Sequence, residues 1–129
     1  MKVAVAIIYD QGSILITQRA THLSSGGLWE FPGGKLEWNE TPEEALIREI
    51  KEEVNLDILR YDFITQINAE RTQGPLSLHV FLVHEFRGQA VKLESQTDLL
   101  WVAPQALDQY KFPPTNAPIL AWIKKYSHP

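Results

Sequence analysis

Eight glutamates fall between residues 30 and 53: Glu30, Glu37, Glu40, Glu43, Glu44, Glu49, Glu52 and Glu53. Glu49 stands three and four residues before Glu52 and Glu53. On a helix these three share one face, within about 100° of arc at about 100° per residue. An apolar stripe of Leu46, Ile47, Ile50 and Val54 fills the adjoining sector, so the carboxylates are expected to border the core. Like charges at this spacing destabilise a helix by roughly a few tenths of a kcal/mol per pair. No Lys or Arg follows any of the three by four residues, so nothing in that direction offsets the repulsion. A divalent cation would. Clustered hard oxygens without His or Cys select Mg²⁺ or Mn²⁺ over zinc. The competing reading is a solvated acidic helix face, because Glu is a common helix former.

The element that must carry these carboxylates is well marked. Thr41 suits an N-cap, Pro42 the first helical position, and Glu44 completes a T-x-x-E capping box. Asn55 stands where the helix should stop, in a residue type that tolerates the left-handed conformation. Around this helix, residues 3–9 (VAVAIIY) and 13–19 (SILITQR) read as two strands paired as a hairpin across DQG. Residues 21–28 are a small, polar loop, and WEFPGG is a short extended segment ending at a Pro-Gly break. Strand-like spacing returns at 58–69 and 76–86 around RTQGP. Residues 99–102 (LLWV) predict a short buried strand, Pro104 opens a short helix, and 117–126 (APILAWIKKY) a final amphipathic one. Strands interrupted by one central and one terminal helix imply an α/β sandwich on a mixed sheet, one domain over 1–129.

The rest of the composition narrows the function. A net charge of −4 argues against a protein that holds a nucleic-acid polymer on a broad basic surface. The chain has no Cys, which excludes disulfides and thiolate metal sites and fits a cytoplasmic location. The apolar run in MKVAVAIIYDQG is too short for a membrane span and lacks a signal-peptide pattern.

Residues 34–56 resemble the Nudix box. Gly34 is followed at the family's spacing by Glu40, then by Arg48-Glu49-Ile50, Glu52-Glu53 and Leu56, with Asn55 where the family has Gly. WEFPGGK before the box, ITQR at 16–19 and FPPTNAPI at 112–119 extend the resemblance to the MutT type of Nudix hydrolase over essentially the whole chain. The resemblance implies an α/β/α sandwich and Mg²⁺ dependence, with Mn²⁺ as a possible substitute. It also implies hydrolysis of a nucleoside diphosphate linked to another group. MutT-type members convert nucleoside triphosphates, notably 8-oxo-dGTP, to the monophosphate and pyrophosphate. The expected partner is thus a nucleotide and the expected state a monomer, with a dimer as the alternative. Two other readings stay open: a different nucleotide substrate, or a non-catalytic nucleotide-binding module, although such modules usually lose box carboxylates.

Transferred position by position, the resemblance makes Glu53 a primary metal ligand. Glu49 and Glu52 share the cluster, and the Gly33 carbonyl is a further ligand. Glu94 is the loop acid, with Asp98 as competitor, and one of these carboxylates accepts the proton of the attacking water. Glu40 and Arg48 are expected as a supporting pair. Lys35 either meets a phosphate or is solvated. Asn116 is expected to read the base, the alternative being an N-cap. Phe31 and Leu78 would wall the pocket, Arg19 would reach substrate from its strand, and Glu30, Phe31, Pro32 and Gly33 would line it. His22 and Ser24 lie in the loop above it without a readable role. His79 and His84 are expected as packed or surface residues.

Overall fold

Along the first strand, Val3, Val5 and Ile7 belong to one apolar cluster while Ala4, Ala6 and Ile8 belong to another. Successive side chains of a strand point to opposite faces, so a strand apolar on both must lie inside a sheet covered on both sides. The computed structural model, which describes residues 1–20, 26–93 and 96–126, has this arrangement. The strands are β1 (Lys2–Asp10), β2 (Ser13–Arg19), β3 (Trp29–Glu30), β4 (Gly33–Lys35), β5 (Asp57–Ala69), β6 (Leu76–Arg87) and β7 (Gln96–Val102). Helix α1 spans Pro42–Val54 and α2 Ala117–Tyr126, with 3-10 turns at Pro104–Gln109 and Pro114–Asn116. Among the described residues the strands form one mixed sheet, ordered β3-β2-β1-β6-β5, with β4 also paired to β1 and β7 to β2.

β1 pairs in parallel with β6 from Lys2↔Ser77 to Ile8↔Val83, and antiparallel with β4 from Val3↔Lys35 to Val5↔Gly33. The hairpin expected between residues 3–9 and 13–19 is confined to its tip, Tyr9↔Ile14 and Asp10↔Ser13. β4 occupies that edge of β1 over residues 3–5, so β2 splays away and pairs with β7 instead, from Ile14↔Val102 to Arg19↔Gln96. The strand expected at 99–102 accordingly runs longer, from Gln96, and of LLWV only Val102 is fully buried. Trp101 lies at the surface, stacked on Phe86 at 6.0 Å.

Helix α1 packs Ala45, Leu46, Ile50 and Val54 against the Ala4, Ala6 and Ile8 face. The small side chains of Ala4 and Ala6 let the helix approach closely. α2 covers the opposite face through Ile119 and Ile123. The result is the expected α/β/α sandwich. One member of the expected stripe is misplaced: Ile47 is 43% exposed, and Ala45 takes its place in the core. The buried arc is centred on residues 46, 50 and 54, and Ile47 falls about 100° beyond Leu46.

Both ends of α1 are capped. Glu44 N–H donates to Thr41 Oγ1 at 3.1 Å, and Thr41 N–H donates to Glu44 Oε1 at 2.8 Å. Asn55 is left-handed (φ 64°, ψ 34°), and its N–H donates to the Lys51 carbonyl at 3.1 Å. Among the described residues no helix is long and apolar enough to cross a membrane. The left-handed stop yields a test. Asn55→Ala should cost about 1–2 kcal/mol, the penalty for an ordinary Cβ in that conformation, while Asn55→Gly should stay within about 0.5 kcal/mol of wild type. Urea denaturation of the three proteins checks it, and equal stability of the Ala and Gly variants would contradict it.

Candidate active site

The site is built where α1 crosses β4. β4 lies against the start of β1, secured by Ala6 N–H donating to the Pro32 carbonyl (2.8 Å) and Leu36 N–H to the Lys2 carbonyl (3.0 Å). A Cβ on Gly33 would run into the Ala4 carbonyl, so only glycine lets the two strands approach here. At Gly34 the space a Cβ would fill is taken by the carboxylate of Glu49. One helical turn further on, Glu53 is only 5% exposed, and its Oε2 accepts from Gly33 N–H at 3.5 Å. The two glycines thus seat two carboxylates. Gly34 enters the sequence reading only as a box position, and its role as the seat of Glu49 goes unrecognised there. The doubled glycine before a Lys is the signal that could have shown it.

Arg48 organises the rest. Its Nε donates to Glu40 Oε2 at 2.7 Å and its Nη2 to Glu40 Oε1 at 2.9 Å, a two-pronged fork. Nη2 also donates to the Lys35 carbonyl (3.0 Å), while Nη1 donates to Glu49 Oε1 (2.7 Å) and Glu52 Oε2 (3.3 Å). Glu37 Oε1 stands 3.6 Å from Nε. The helix carboxylates therefore do have an offsetting cation within the chain. The cation comes from the residue before Glu49 and four before Glu52, not four after. The Arg48 hydrogen bond, with Glu37 N–H as a second donor, holds the Glu40 carboxyl down to about 2. The same pair raises Arg48 above its ordinary value.

The donor set suits a hard divalent cation. Glu49, Glu52 and Glu53 could supply carboxylate oxygens and the Gly33 main chain a carbonyl, with no nitrogen or sulfur among them. The bare α-carbon of Gly34 admits the Glu49 carboxylate to the main chain of the PGGK segment. Among the described residues no three acidic or histidine side chains already converge on one ion-sized point. Glu49 and Glu52 instead share the Nη1 of Arg48, and Glu52 is the most solvated of the three, at 50%.

The other expected residues divide into two groups. Glu30 on β3 faces Arg19 on β2 across 3.9 Å. Burial pushes the Glu30 carboxyl up, and Arg19 draws it down. Pro32 is buried beside them in sequence. Phe31 is buried in the other face, stacked on Phe112 at 5.0 Å and sharing a cluster with Leu78. Trp29 N–H donates to the Lys111 carbonyl at 2.8 Å, and the Trp29 ring meets Tyr110 edge-on at 5.1 Å. These contacts hold the segment leading to Asn116 along β3. Asn116 lies in the second 3-10 turn, and its Nδ2 donates to Thr115 Oγ1 at 3.4 Å. Among the described residues its amide bonds to no first-turn N–H of α2.

Lys35 contributes its carbonyl to Arg48, and its side chain is exposed. Asp98 sits on β7 opposite Gln18, and its Oδ1 accepts from Leu99 N–H at 2.8 Å. His79 is half-buried opposite Ala4 and Gln66, with its pKa lowered by burial and then by Lys2. His84 stands 3.1 Å from Asp62 on the surface. Glu94, His22 and Ser24 lie outside the described residues.

Comparison with known proteins converges with this geometry. A NUDIX domain profile matches residues 1–123. The 8-oxo-dGTP diphosphatase of Escherichia coli K12 is 33% identical over 126 residues, 97% of this chain and 97% of that protein. The CTP pyrophosphohydrolase of the same organism is 34% identical over 120 residues, 93% of this chain and 88% of that protein. A MutT structure from work on Aliivibrio salmonicida and Vibrio cholerae aligns with a TM-score of 0.81 at 34% identity, covering 95% of this chain and 97% of that one.

The Arg48–Glu40 fork can be tested apart from activity. The folded Glu40 carboxyl lies near 2, below its ordinary 4.5. Its contribution to stability is therefore complete above about 4.5 and is lost as pH falls towards about 2. A double-mutant cycle with Glu40→Gln and Arg48→Ala, followed by urea denaturation, should show strong non-additivity at pH 7 that declines steadily below pH 4.5. Additive effects at pH 7, or coupling that does not decline with acid, would show that the fork does not link the loop to the helix.

Proposed function

The chain belongs to the Nudix family of hydrolases, and from that premise we propose that it cleaves a nucleoside triphosphate to the monophosphate and pyrophosphate. The preferred substrate in this reading is 8-oxo-dGTP, and the metal is Mg²⁺. The observation that carries the proposal is the pairing of Glu49 with Gly34 and of Glu53 with Gly33, beside the exposed Glu52. Glu53, Glu49, Glu52 and the Gly33 carbonyl would hold the cation. A divalent cation bound there supplies neutralisation of phosphate charge. The chain's own residues do the remaining work. The two glycines fix where Glu49 and Glu53 reach the main chain, and Arg48 restrains Glu49 and Glu52 from the solvent side. Arg19 offers a positive charge to a phosphate. Glu94 accepts the proton of the attacking water in this reading.

Base recognition falls to Asn116, whose planar amide offers a donor and an acceptor to a purine edge. The Phe31–Phe112 stack fixes the segment that carries it. Guanine oxidation turns N7 from an acceptor into an N–H donor, which an amide oxygen can accept. Removing such a nucleotide keeps it from being built into DNA, a role on the cytoplasmic nucleotide pool that a monomer can serve. The similarity to a CTP pyrophosphohydrolase favours a pyrimidine triphosphate as the second reading.

Two experiments test these assignments. Glu53→Gln keeps the shape and removes one charge, so turnover of 8-oxo-dGTP with Mg²⁺ should fall at least about a hundredfold while the fold persists. A folded variant with near wild-type turnover would remove Glu53 from the metal site. Asn116→Ala should narrow the kcat/KM ratio of 8-oxo-dGTP to dGTP by about tenfold or more, about 1.4 kcal/mol of discrimination. An equal loss on both substrates would assign Asn116 a structural role. A wild-type preference for CTP over either purine would establish the second reading.

A further inference from the structure

The last turn of α1 carries Glu53, and a helix leaves its final carbonyls without partners of its own. Here the Lys51 carbonyl accepts from Asn55, but those of Glu53 and Val54 turn to another part of the chain. Leu93 N–H donates to the Glu53 carbonyl at 3.1 Å, and Val91 N–H to the Val54 carbonyl at 3.0 Å. The segment after β6 is thereby strapped across the end of the helix. It enters tightly: Gly88 has φ +107°, and a Cβ there would stand 3.0 Å from the Asn55 carbonyl. Lys92 Nζ donates to the Thr97 carbonyl at 3.1 Å, tying the far side of the strap to β7.

Side-chain burial does not account for this docking. Val91 is 39% exposed and Leu93 53%. Two main-chain bonds join these residues to α1, and one ends on the carbonyl of Glu53, the buried carboxylate among the described residues. Leu93 is also the residue covalently next to Glu94.

We propose that Leu93 is a positioning residue of the active site, acting through its main-chain N–H. Its bond to the Glu53 carbonyl fixes residues 88–93 against the last turn of α1, and so holds in place the main chain from which the Glu53 carboxylate projects. This rests on the hydrolase reading above and adds a residue that no box position identifies. It attributes Leu93's effect to the peptide group alone, which makes it separable from packing.

Proline has no N–H, so Leu93→Pro deletes the bond, whereas Leu93→Ser keeps it and changes an exposed side chain. Each full-length variant is assayed with whichever of 8-oxo-dGTP, dGTP and CTP the wild type turns over fastest. Leu93→Pro should lower kcat at least about tenfold with KM within about threefold, because small misplacements of a reacting group cost rate rather than binding. Leu93→Ser should stay within about twofold of wild type in both. Amide hydrogen exchange on the wild type supplies an independent measure, with Leu93 N–H protected at least about a hundredfold over an open chain. It decides the matter if Leu93→Pro does not fold.

Wild-type kcat in Leu93→Pro, an equal loss in Leu93→Ser, a loss seen in KM instead of kcat, or an unprotected Leu93 amide would each overturn the proposal. A wild type that hydrolyses none of the three nucleotides would instead overturn the hydrolase reading, while the exchange measurement would still report on the strap.

Discussion

One guanidinium is shared among four carboxylates. Arg48 stands within 4 Å of Glu37, Glu40, Glu49 and Glu52, and Glu53 lies one turn beyond. That imbalance governs the region. Without Arg48, the loop carrying Glu37 and Glu40 and the helix carrying Glu49 and Glu52 would present like charges to one another. With it, loop and helix are drawn together, while Glu49 and Glu53 lie against β4. A site with one fixed cation and several acids retains attraction for another cation. It will also repel a polyphosphate until that charge is met. Arrangement and metal demand therefore have the same source.

The charges could not meet there without a backbone that yields space. β1 offers Ala4 and Ala6 to α1, so the helix lies close to the sheet. β4 offers Gly33 and Gly34, so neither the Ala4 carbonyl nor the Glu49 carboxylate meets a side chain. The small residues and the acids form one design. A bulkier residue at Ala4, Ala6 or Gly34 would press on α1 and move the Glu49 and Glu53 oxygens from the main chain they now reach, and one at Gly33 would part β4 from β1.

What the sequence disclosed follows from how local each feature is. The capping box at Thr41, the left-handed stop at Asn55 and the face shared by Glu49, Glu52 and Glu53 are set within a few residues of chain, and all were readable. β2's choice of β7 over β1 was not, because it depends on β4 taking the edge of β1 first, a competition between distant segments. Ile47 was misplaced because an apolar side chain at the margin of a helical arc can fall to either side. The Arg48–Glu40 pair was readable from the resemblance, but the further reach of the same guanidinium to Glu49 and Glu52 was not, because it runs sideways to a neighbour and forward from base to acid. The seat at Gly34 required two segments to be superposed in space, which spacing along the chain cannot reveal. His79 and His84 were expected as packed or surface residues, and His79 is half-buried on β6 while His84 meets Asp62 at the surface.

The six residues WEFPGG connect the segment that carries Asn116 with the turn of α1 that carries Glu53. Trp29 is tied to the segment preceding Asn116, Glu30 turns to Arg19, and Phe31 enters the opposite core against Phe112. Pro32 brings a fixed φ, and its carbonyl is held by Ala6 N–H before the chain reaches the two glycines under α1. Alternation along an extended chain sends successive residues to opposite faces. The stretch therefore touches the α2 side, where the base is proposed to be read, and the α1 side, where the carboxylates gather, within about 20 Å of extended chain. The segment that carries Asn116 packs on Phe31 through Phe112, and two residues further on the Gly33 N–H meets Glu53. Discrimination in such a site would be felt in the chemical step as well as in binding, because Phe31, packed on Phe112, and Gly33, bonded to Glu53, stand only two residues apart.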